Sequence, residues 1–220
     1  MDLRDQGIAC GRRRVAKLMK YQGLRAIQPK SFKPRSTESR HRLGYSPYLL
    51  SETTETTGIN QLWVGDITYI PIQGRKFSYL ATLLDRYSRR IVSWHLSEDM
   101  TEALVLEVLT KAIRTRQPGP SLIHHTDRGG QYAGAAYRRV LKRAAMLQSM
   151  SRPDNCYDNA FMESCFGTIK TELEMTEYEN HRAAEYELSE YIRYYNLDRK
   201  HSALDYLTPA QFEAIHPSPN

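Results

Sequence analysis

Three acidic residues lie at positions where an ionised carboxylate lowers the stability of the fold unless a hydrogen-bond donor, a cation or water compensates it. Asp66 is in the middle of the strand-like run Trp-Val-Gly-Asp-Ile-Thr-Tyr-Ile, where Asp is disfavoured. Asp127 follows the short apolar run Leu-Ile-His-His-Thr and precedes two glycines, which permit a tight backbone and the close approach of a ligand. Glu163 lies near the start of a predicted helix. Taken one at a time, they also fit an ion pair, a turn residue and a charge on a solvated helix face.

Together, the three acids predict a metal site. Ionised carboxylates that converge repel one another, and a cation among them removes that cost. A set of oxygen ligands without His or Cys selects a hard ion such as Mg²⁺ or Mn²⁺. An open carboxylate cluster can hold two such ions about 3.5 to 4 Å apart, on either side of a phosphate. We therefore predict that Asp66, Asp127 and Glu163 bind two divalent ions beside a phosphate.

The helix that carries Glu163 has two distinct faces. At 100° per residue, its apolar side chains share one arc of about 140° that must face the core. They are Phe161, Met162, Cys165, Phe166, Ile169 and Leu173. The bordering arc carries Glu163, Gly167 and Lys170, which sets an anionic ligand, a gap and a cation along one face. That order suits a metal ion with a DNA backbone beside it, and a solvated face with an incidental charge pair is the alternative.

The periodicity of the chain predicts the elements that position these acids. Three strand-like runs joined by turns indicate an antiparallel meander over residues 62–72, 77–84 and 90–96. A helix capped by Thr101 leads to a short apolar run at 122–124, and such a crossover implies parallel pairing, most simply with the first strand. Further helices are predicted over 133–145, 158–173, 181–195 and from Thr208-Pro209 onward. The result is an α/β fold with a mixed sheet flanked by helices.

Several polar residues near the acids have structural interpretations. Asp85 ends the second strand and is predicted to be a turn or ion-pair residue rather than a ligand. His124 and His125 are consecutive in a strand and point to opposite faces, so at most one faces the site. Tyr191 and Tyr195 follow an apolar stripe and are predicted to lie in the core.

Positive charge is concentrated at the N-terminal end. The net charge is +6, and the first 50 residues hold 12 Lys or Arg against 3 Asp or Glu. Such a segment attracts polyanions, of which nucleic acid is the commonest. A predicted helix over 11–22 begins with Arg12, Arg13 and Arg14, which oppose the helix macrodipole unless a phosphate is bound there. We predict that these residues and Lys17 contact DNA, and an exposed basic helix without special purpose is the alternative.

The composition excludes several other classes of protein. With 220 residues and 40% hydrophobic content, the chain is long enough to bury a core. It contains no apolar window of 18 residues and no apolar stretch behind its first residues, so a cytoplasmic protein without a membrane span or secretion signal is expected. Three scattered cysteines without a Cys-x-x-Cys pair predict reduced thiols rather than disulfides or zinc.

Four ordered segments resemble the IS-three family of insertion-sequence transposases, which belongs to the superfamily of retroviral integrases and other DDE enzymes. They are Trp-Val-Gly-Asp (63–66), His-Thr-Asp-Arg-Gly-Gly-Gln-Tyr (125–132), Asp-Asn-Ala-Phe-Met-Glu-Ser (158–164) and Tyr-Asn-Leu-Asp-Arg-Lys-His (195–201). The superfamily's signature places 35 residues between its second and third acids, and 35 residues separate Asp127 from Glu163. The resemblance covers about residues 60–215.

The resemblance implies a ribonuclease-H-like core in which Asp66, Asp127 and Glu163 are the catalytic metal ligands. It implies that Lys170, seven residues after the Glu, helps to hold the DNA. The implied reaction frees a 3′-OH at the element's end by hydrolysis and uses it to attack another phosphodiester. The implied partners are double-stranded DNA of the transposon ends and target, further copies of the chain in a homo-oligomer at the nucleoid, and the product of an upstream reading frame. One end is expected to be joined first to the other, giving a circular intermediate.

Four parts are expected along the chain. A partial helix-turn-helix-like basic segment at 1–30 is followed by a basic linker or arm at 31–60, an integrase-type catalytic core at 61–175 and a helical extension at 176–220. Relative to the family, an earlier N-terminal helix is expected to be missing. A truncated DNA-binding regulator, or an inactive partner of the full-length transposase, is an alternative function, against which the intact acid triad argues. A structure-selective nuclease is another, against which the family motifs argue.

Overall fold

The computed structural model describes residues 7–8, 10–25, 43–50, 55–74, 76–153, 155–174 and 177–217. The chain divides into two units, Met1–Ser31 and Phe32–Asn220. The described residues of the first unit form one helix, α1 (Arg12–Tyr21), where a helix over 11–22 was predicted. Much of the predicted linker, residues 31–42 and 51–54, lies outside the described residues. The four-part organisation stays a prediction.

The second unit is built on a mixed sheet of five strands. In chain order they are β1 (Leu62–Ile72), β2 (Lys76–Asp85), β3 (Ile91–Ser97), β4 (Ile123–Thr126) and β5 (Leu147–Met150). Their order across the sheet is β3-β2-β1-β4-β5. The first three form an antiparallel meander, and β4 pairs parallel with β1, so both predicted pairings are confirmed. The sequence analysis missed β5, which pairs parallel with β4, because four residues are too few to show a strand period.

Helices cover both faces of this sheet. They are α2 (Glu102–Arg116), α3 (Gly130–Ala133), α4 (Ala135–Arg143), α5 (Ala160–Glu172), α6 (His181–Leu197) and α7 (Pro209–Ile215). Because successive side chains of a strand point to opposite faces, β1 contributes to two cores. Leu62 and Val64 pack with α5 and α6, whereas Trp63 and Ile67 pack with α2, α3 and α4. The sheet that carries Asp66 is therefore covered by a helical layer on each face.

A single helix over 133–145 was predicted, and that prediction is wrong at its start. The helix is interrupted at Gly134, which separates α3 from α4. The carboxylate of Glu102 from α2 occupies the space where a Cβ at residue 134 would lie. That carboxylate accepts a hydrogen bond from the Tyr137 N–H at 3.0 Å, which satisfies one of the free N–H groups at the start of α4. The N-terminus of α4 is therefore capped by Glu102, a residue of α2.

Cys10 and Cys165 are free thiols. Burial raises the pKa of the Cys165 thiol to about 12, so the thiol is protonated at neutral pH and is a poor nucleophile. Within the described ranges, no helix is long and apolar enough to cross a membrane.

The last helix is joined to the sheet by a polar network. Thr208 and Gln211 form the capping box of α7, with Pro209 at its first position as predicted. Glu213 on α7 forms ion pairs with Arg116 at 2.6 Å and Arg90 at 2.7 Å. These contacts connect α7 to α2 and to the turn before β3.

Asp85 belongs to the same network. Its carboxylate accepts hydrogen bonds from the N–H groups of Asn60, Tyr87 and Ser88 at 2.7 to 3.0 Å. The Ser88 hydroxyl donates to Glu213 at 2.8 Å, which links the two acids. Asp85 is therefore a buried turn residue, as the sequence analysis predicted.

We expect Glu213→Ala to destabilise the fold by about 3 kcal/mol, the lower end of the cost of removing one partner from a buried ion pair. Arg116, whose side chain is 16% exposed, loses its acid partner, whereas Arg90 at 32% can be rehydrated. Urea unfolding measures the effect. Glu190→Ala on the exposed face of α6 is the control and should change stability by no more than about 0.5 kcal/mol. An equal effect of both substitutions would contradict the role of the network.

The contribution of Glu213 should also depend on pH. Burial favours the neutral acid, but the hydrogen bonds and charges of Arg116 outweigh it and hold the pKa of Glu213 below its ordinary value of 4.5. A carboxyl with a lowered folded pKa stabilises the fold above its unfolded pKa and loses that contribution as pH falls through the folded pKa. The stability difference between the wild type and Glu213→Ala should therefore be full at pH 7 and shrink below about pH 4.5. A difference that grows in acid would refute this.

Candidate metal and DNA site

The strand register brings Asp66 and Asp127 together. The parallel pairing of β1 with β4 ends at Gly65 opposite Thr126. The residue that follows each of these two in the chain is an acid. Neighbouring strands in a sheet lie about 4.8 Å apart, so the two carboxylates begin from adjacent backbone positions. This juxtaposition follows from the sheet's topology. The two acids are 61 positions apart in the chain and meet because the crossover through α2 places β4 beside β1.

A tight turn fixes Asp127. The Gly129 N–H donates a hydrogen bond to Asp127 Oδ1 at 2.9 Å. A Cβ at residue 129 would lie 3.0 Å from the same oxygen and 2.8 Å from the Gln131 side chain, so glycine lets the turn close on the carboxylate. The first glycine after Asp127 therefore permits the tight backbone that was predicted, whereas the close approach of a ligand stays a prediction.

The electrostatics of Asp66 show that the three acids share one environment. Burial raises the pKa of Asp66 well above its ordinary value, and the charge of Asp127 raises it further. Glu163 raises this pKa as well, whereas the hydrogen bond from the Ile67 N–H at 2.8 Å and the charge of Lys170 lower it. Burial and the two neighbouring acids thus outweigh the effect of Lys170 on the pKa of Asp66.

Glu163 approaches from the helical layer. It is an exposed residue in the first turn of α5, where a negative charge is favourable to the helix dipole. The helix packs against β1 through the predicted apolar arc. Four members of that arc are buried and two are partly buried: Met162, Cys165, Phe166 and Ile169, with Phe161 and Leu173. That packing turns the Glu163 face of α5 towards Asp66.

The three acids do not form a closed ligand set as they stand. Across the described ranges, no three side chains of His, Cys, Asp or Glu are grouped tightly enough to hold a metal ion. Glu163 is exposed, whereas Asp66 and Asp127 are partly buried. The donor set nevertheless fits a hard divalent cation, since it consists of carboxylate oxygens, and the neighbouring acids raise the pKa of Asp66. The metal-binding and catalytic roles of the three acids stay predictions.

Lys170 lies on the same side of α5, next to a gap. Its ammonium nitrogen is 4.4 Å from the centroid of the Tyr69 ring. Burial lowers the pKa of Lys170, and the nearby charge of Asp66 acts in the opposite direction. A Cβ at Gly167 would meet nothing within 4 Å, so the surface between Glu163 and Lys170 is open. The predicted order of acid, gap and cation is present along this face.

Neither histidine beside Asp127 belongs to the site. His124 Nε2 lies 2.6 Å from the Tyr137 hydroxyl, and His125 Nδ1 lies 2.8 Å from the Ser149 hydroxyl. Burial lowers the pKa of His124 to about 3 and that of His125 to about 4, so both rings are neutral core residues. The sequence analysis allowed one of them at the site, and burial in two cores explains why none is there.

Sequence reasoning missed Tyr132, which lies close to both aspartates. Its side chain is buried, and burial followed by the charges of Asp66 and Asp127 raises the pKa of its phenol well above the ordinary value. The signal was present, because Tyr132 ends the segment His-Thr-Asp-Arg-Gly-Gly-Gln-Tyr. An uncharged phenol beneath the two acids adds no further negative charge.

In the first unit, α1 presents its cations to solvent. Arg12, Arg13, Arg14 and Lys17 are all exposed. The first turn holds no acidic residue, and no side chain caps the helix N-terminus. The N–H groups and the arginines there form a positively charged surface, as the sequence analysis expected.

Comparison with known proteins decides the family. Sequence models described as integrase core domain match residues 57–156 and 145–209, and one described as an HTH-like domain matches residues 1–32. The transposase for IS904 of Lactococcus lactis is 38% identical over 213 residues, which are 96% of this chain and 83% of that protein. The InsF transposase for IS3A of Escherichia coli is 39% identical over 216 residues, 96% of this chain and 74% of the relative. The chain belongs to the IS3 family of insertion-sequence transposases.

A further relative of this transposase is the 31 kDa protein of insertion element IS600 from Shigella sonnei. It is 41% identical over 213 residues, which are 96% of this chain and 78% of the relative. The predicted resemblance is therefore confirmed, and the chain is an enzyme of the transposase and integrase class, which transfers polynucleotide strands.

Solved structures confirm the predicted ribonuclease-H-like fold of the transposase. A chain of the simian T-cell lymphotropic virus intasome has a TM-score of 0.58 at 18% identity, with 98% of this chain and 70% of that chain covered. The HTLV-2 integrase catalytic core domain, solved with magnesium, has a TM-score of 0.55 at 13% identity and covers 72% of this chain and 99% of that chain. The catalytic domain of the Mos1 mariner transposase scores 0.52 at 14% identity, with 61% and 70% covered.

We expect Asp66→Asn to stabilise the metal-free transposase. The substitution removes a partly buried charge beside Asp127, and a gain on the order of 1 kcal/mol would raise the melting temperature by about 2 to 4 °C in a chain of this size. Mg²⁺ should then raise the melting temperature of the wild type and leave that of the variant unchanged.

The matched control is Asp99→Asn, in the exposed turn after β3. It should leave both the melting temperature and the response to Mg²⁺ as in the wild type. A lower melting temperature of Asp66→Asn in EDTA, or an undiminished Mg²⁺ response, would rule out an uncompensated acid cluster.

Proposed function

We propose that this transposase is a DDE polynucleotidyl transferase whose catalytic residues and metal ligands are Asp66, Asp127 and Glu163. The observation that carries the proposal is the register of β1 and β4, which ends at Gly65 opposite Thr126 and so sets two acids side by side. The electrostatic effect of Glu163 on Asp66 supports the third assignment. Membership of the transposase family supplies the reaction class.

The proposed cofactor is Mg²⁺ or Mn²⁺, with two ions at the site. When bound, such ions lower the pKa of an attacking water or hydroxyl and neutralise charge that develops on the phosphoryl oxygens. Oxygen donors from β1, the end of β4 and α5 suit these hard ions. The HTLV-2 integrase core, which has the same fold, was solved with magnesium.

The proposed reaction has two phosphoryl transfers. In the first, a water oxygen attacks a phosphodiester at the element's end, the bond from phosphorus to the 3′-oxygen breaks, and the strand leaves with a 3′-OH. In the second, that 3′-OH attacks another phosphodiester and displaces its 3′-oxygen, so one bond forms for each bond broken. Because His124 and His125 are neutral and buried, neither contributes to activating the nucleophile.

Positioning of the DNA is assigned to two sets of cations. Lys170, beside the opening at Gly167, lies where a phosphate next to the reacting one can be held. Arg12, Arg13 and Arg14, with Lys17, form the exposed surface of the HTH-like unit and are proposed to bind phosphates of the element's ends.

We further propose that the transposase acts as a homo-oligomer on transposon ends and target DNA, since two ends must be joined. The simian T-cell lymphotropic virus chain of the same fold comes from an intasome. The product of an upstream reading frame is proposed as an additional partner that contributes DNA-binding sequence.

Catalysis is tested with labelled DNA that carries the ends of the element encoding this chain. Asp66→Asn, Asp127→Asn and Glu163→Gln should each reduce Mg²⁺-dependent nicking and joining by at least about a hundredfold, because a metal ion contributes several kcal/mol of transition-state stabilisation and about 1.4 kcal/mol is tenfold in rate. DNA affinity in EDTA should not fall. Asp99→Asn is the control and should retain full activity. Unchanged products from Asp66→Asn or Glu163→Gln would disprove the assignment.

DNA binding by α1 is tested by a triple substitution of Arg12, Arg13 and Arg14 to Gln. We expect weaker binding to duplex DNA and a salt slope that is flatter by up to about 2.7, because each phosphate contact contributes about 0.9. Neutralising three exposed cations on α2, α4 and α6 instead, Arg114, Lys142 and Arg182, should change the slope by less. An unaltered slope after the α1 substitutions would exclude that surface as the DNA contact.

A further inference from the structure

A pocket of about 540 Å³ opens on the face of α5 next to the one that bears Glu163. Its walls come from the end of β2 and the turn that follows it, from α5, from the last turn of α6 and from the segment after α6. The residues around it include Arg89, Phe161, Arg199, Lys200, His201 and Tyr206. Part of this wall comes from the segment Tyr-Asn-Leu-Asp-Arg-Lys-His. This sequence motif supplies none of the three acids.

The pocket selects negative charge. Arg89, Arg199 and Lys200 line it, and none of the described residues in its wall is acidic. The guanidinium of Arg89 stacks on the Phe161 ring at 4.2 Å, a contact that orients the cation without neutralising it. Arg199 forms an ion pair with Glu172 at 2.7 Å, so it contributes a fixed N–H donor at the edge of the pocket rather than net positive charge. Such a set of oriented cations is suited to a phosphate.

Two wall residues hold unusual backbone conformations. Arg89 has φ 60° and Tyr206 has φ 63°, in the left-handed region that bulky side chains rarely adopt. The Tyr206 N–H donates to the His201 carbonyl at 2.9 Å, which holds this conformation in place. Tyr206 is 50% exposed, so an aromatic ring stands at the rim of a basic pocket. Strained residues of this kind concentrate at ligand sites.

The pocket adjoins the acid cluster across one helix. On α5, Ser164 faces the pocket, whereas its neighbour Glu163 faces Asp66. Ala160, Ser164 and Gly167 are the small residues along the boundary between the two faces. The distance across an α-helix with its side chains is about 10 Å, so a DNA strand at the acids can reach the pocket over this low boundary.

We propose that the pocket binds one unpaired nucleotide of the DNA strand that passes the acid cluster, with its phosphate at Arg89, Arg199 and Lys200 and its base on Tyr206. The inference rests on the proposed function, since it places a DNA strand at the acids. A volume of about 540 Å³ lies within the range of small-ligand sites, about 300 to 1,000 Å³, and admits a nucleotide but no duplex. Stacking on an aromatic ring tolerates any base, so the site reads an unpaired end rather than a sequence.

The test measures binding by fluorescence anisotropy in EDTA. The probes are a fluorescein-labelled 20-base-pair duplex with a three-nucleotide single-stranded end and the same duplex with blunt ends. The wild type should prefer the unpaired end. Arg89→Gly, Lys200→Gln and Tyr206→Gly should each weaken binding of that probe about tenfold, because stacking and phosphate contacts have this size, and change blunt-end binding less than about twofold.

The choice of variants separates binding from folding. Glycine accepts the left-handed backbone at residues 89 and 206, so those substitutions relieve strain while removing the side chain. Lys200→Gln should lower the salt slope by about 0.7, whereas Tyr206→Gly should leave it unchanged, a difference that a purely structural role does not produce. Lys142→Gln, on the opposite helical layer, removes one positive charge and is the control.

A nicking assay with Mg²⁺ on the same proteins distinguishes the two proposals. Asp66→Asn should lose nicking and keep the preference for the unpaired end. If the wild type nicks DNA but the three pocket variants bind both probes as it does, or weaken both equally, the pocket proposal is overturned and the catalytic one stands. If the wild type never nicks while its preference for the unpaired end disappears in the variants, the catalytic proposal fails and the pocket remains a nucleotide site.

Discussion

The structure depends on one electrostatic constraint, the side-by-side placement of two like charges at the edge of a parallel strand pair. The register of β1 with β4 leaves Asp66 and Asp127 as the next residues on adjoining strands. Burial and mutual repulsion favour a proton or a cation at Asp66. This arrangement does not help to stabilise the metal-free fold. The proposed binding of metal and phosphate explains it.

The rest of the fold supplies what this placement requires. The crossover helix α2 returns the chain so that β4 lies beside β1, and α5 packs on β1 with the Glu163 face towards Asp66. The Glu213 network joins α7 to Arg116 of α2 through an ion pair. Asp66 and Glu163 therefore lie on regular elements, and Asp127 lies in the tight turn directly after β4. Of the three acids, Glu163 alone is exposed.

Local sequence patterns predicted most of the strands and helices. They failed where residues distant in the sequence determine the local structure. The meander, the parallel strand and the apolar arc of α5 follow from periodicity, which the sequence displays directly. The break at Gly134 depends on Glu102 from another helix, and β5 is only four residues long. The basic pocket was missed for the same reason, because Arg89 and Tyr206 are more than 100 residues apart and meet only in the folded chain.

The central claim is that the acids hold divalent ions at the end of the β1 and β4 pair. Anomalous diffraction from crystals soaked in Mn²⁺ measures this directly. The account predicts a peak between Asp66 and Asp127, about 2 to 2.2 Å from a carboxylate oxygen of each, with the Glu163 side chain turned towards it. Mn²⁺ peaks confined to other parts of the surface, with none at these acids, would contradict it.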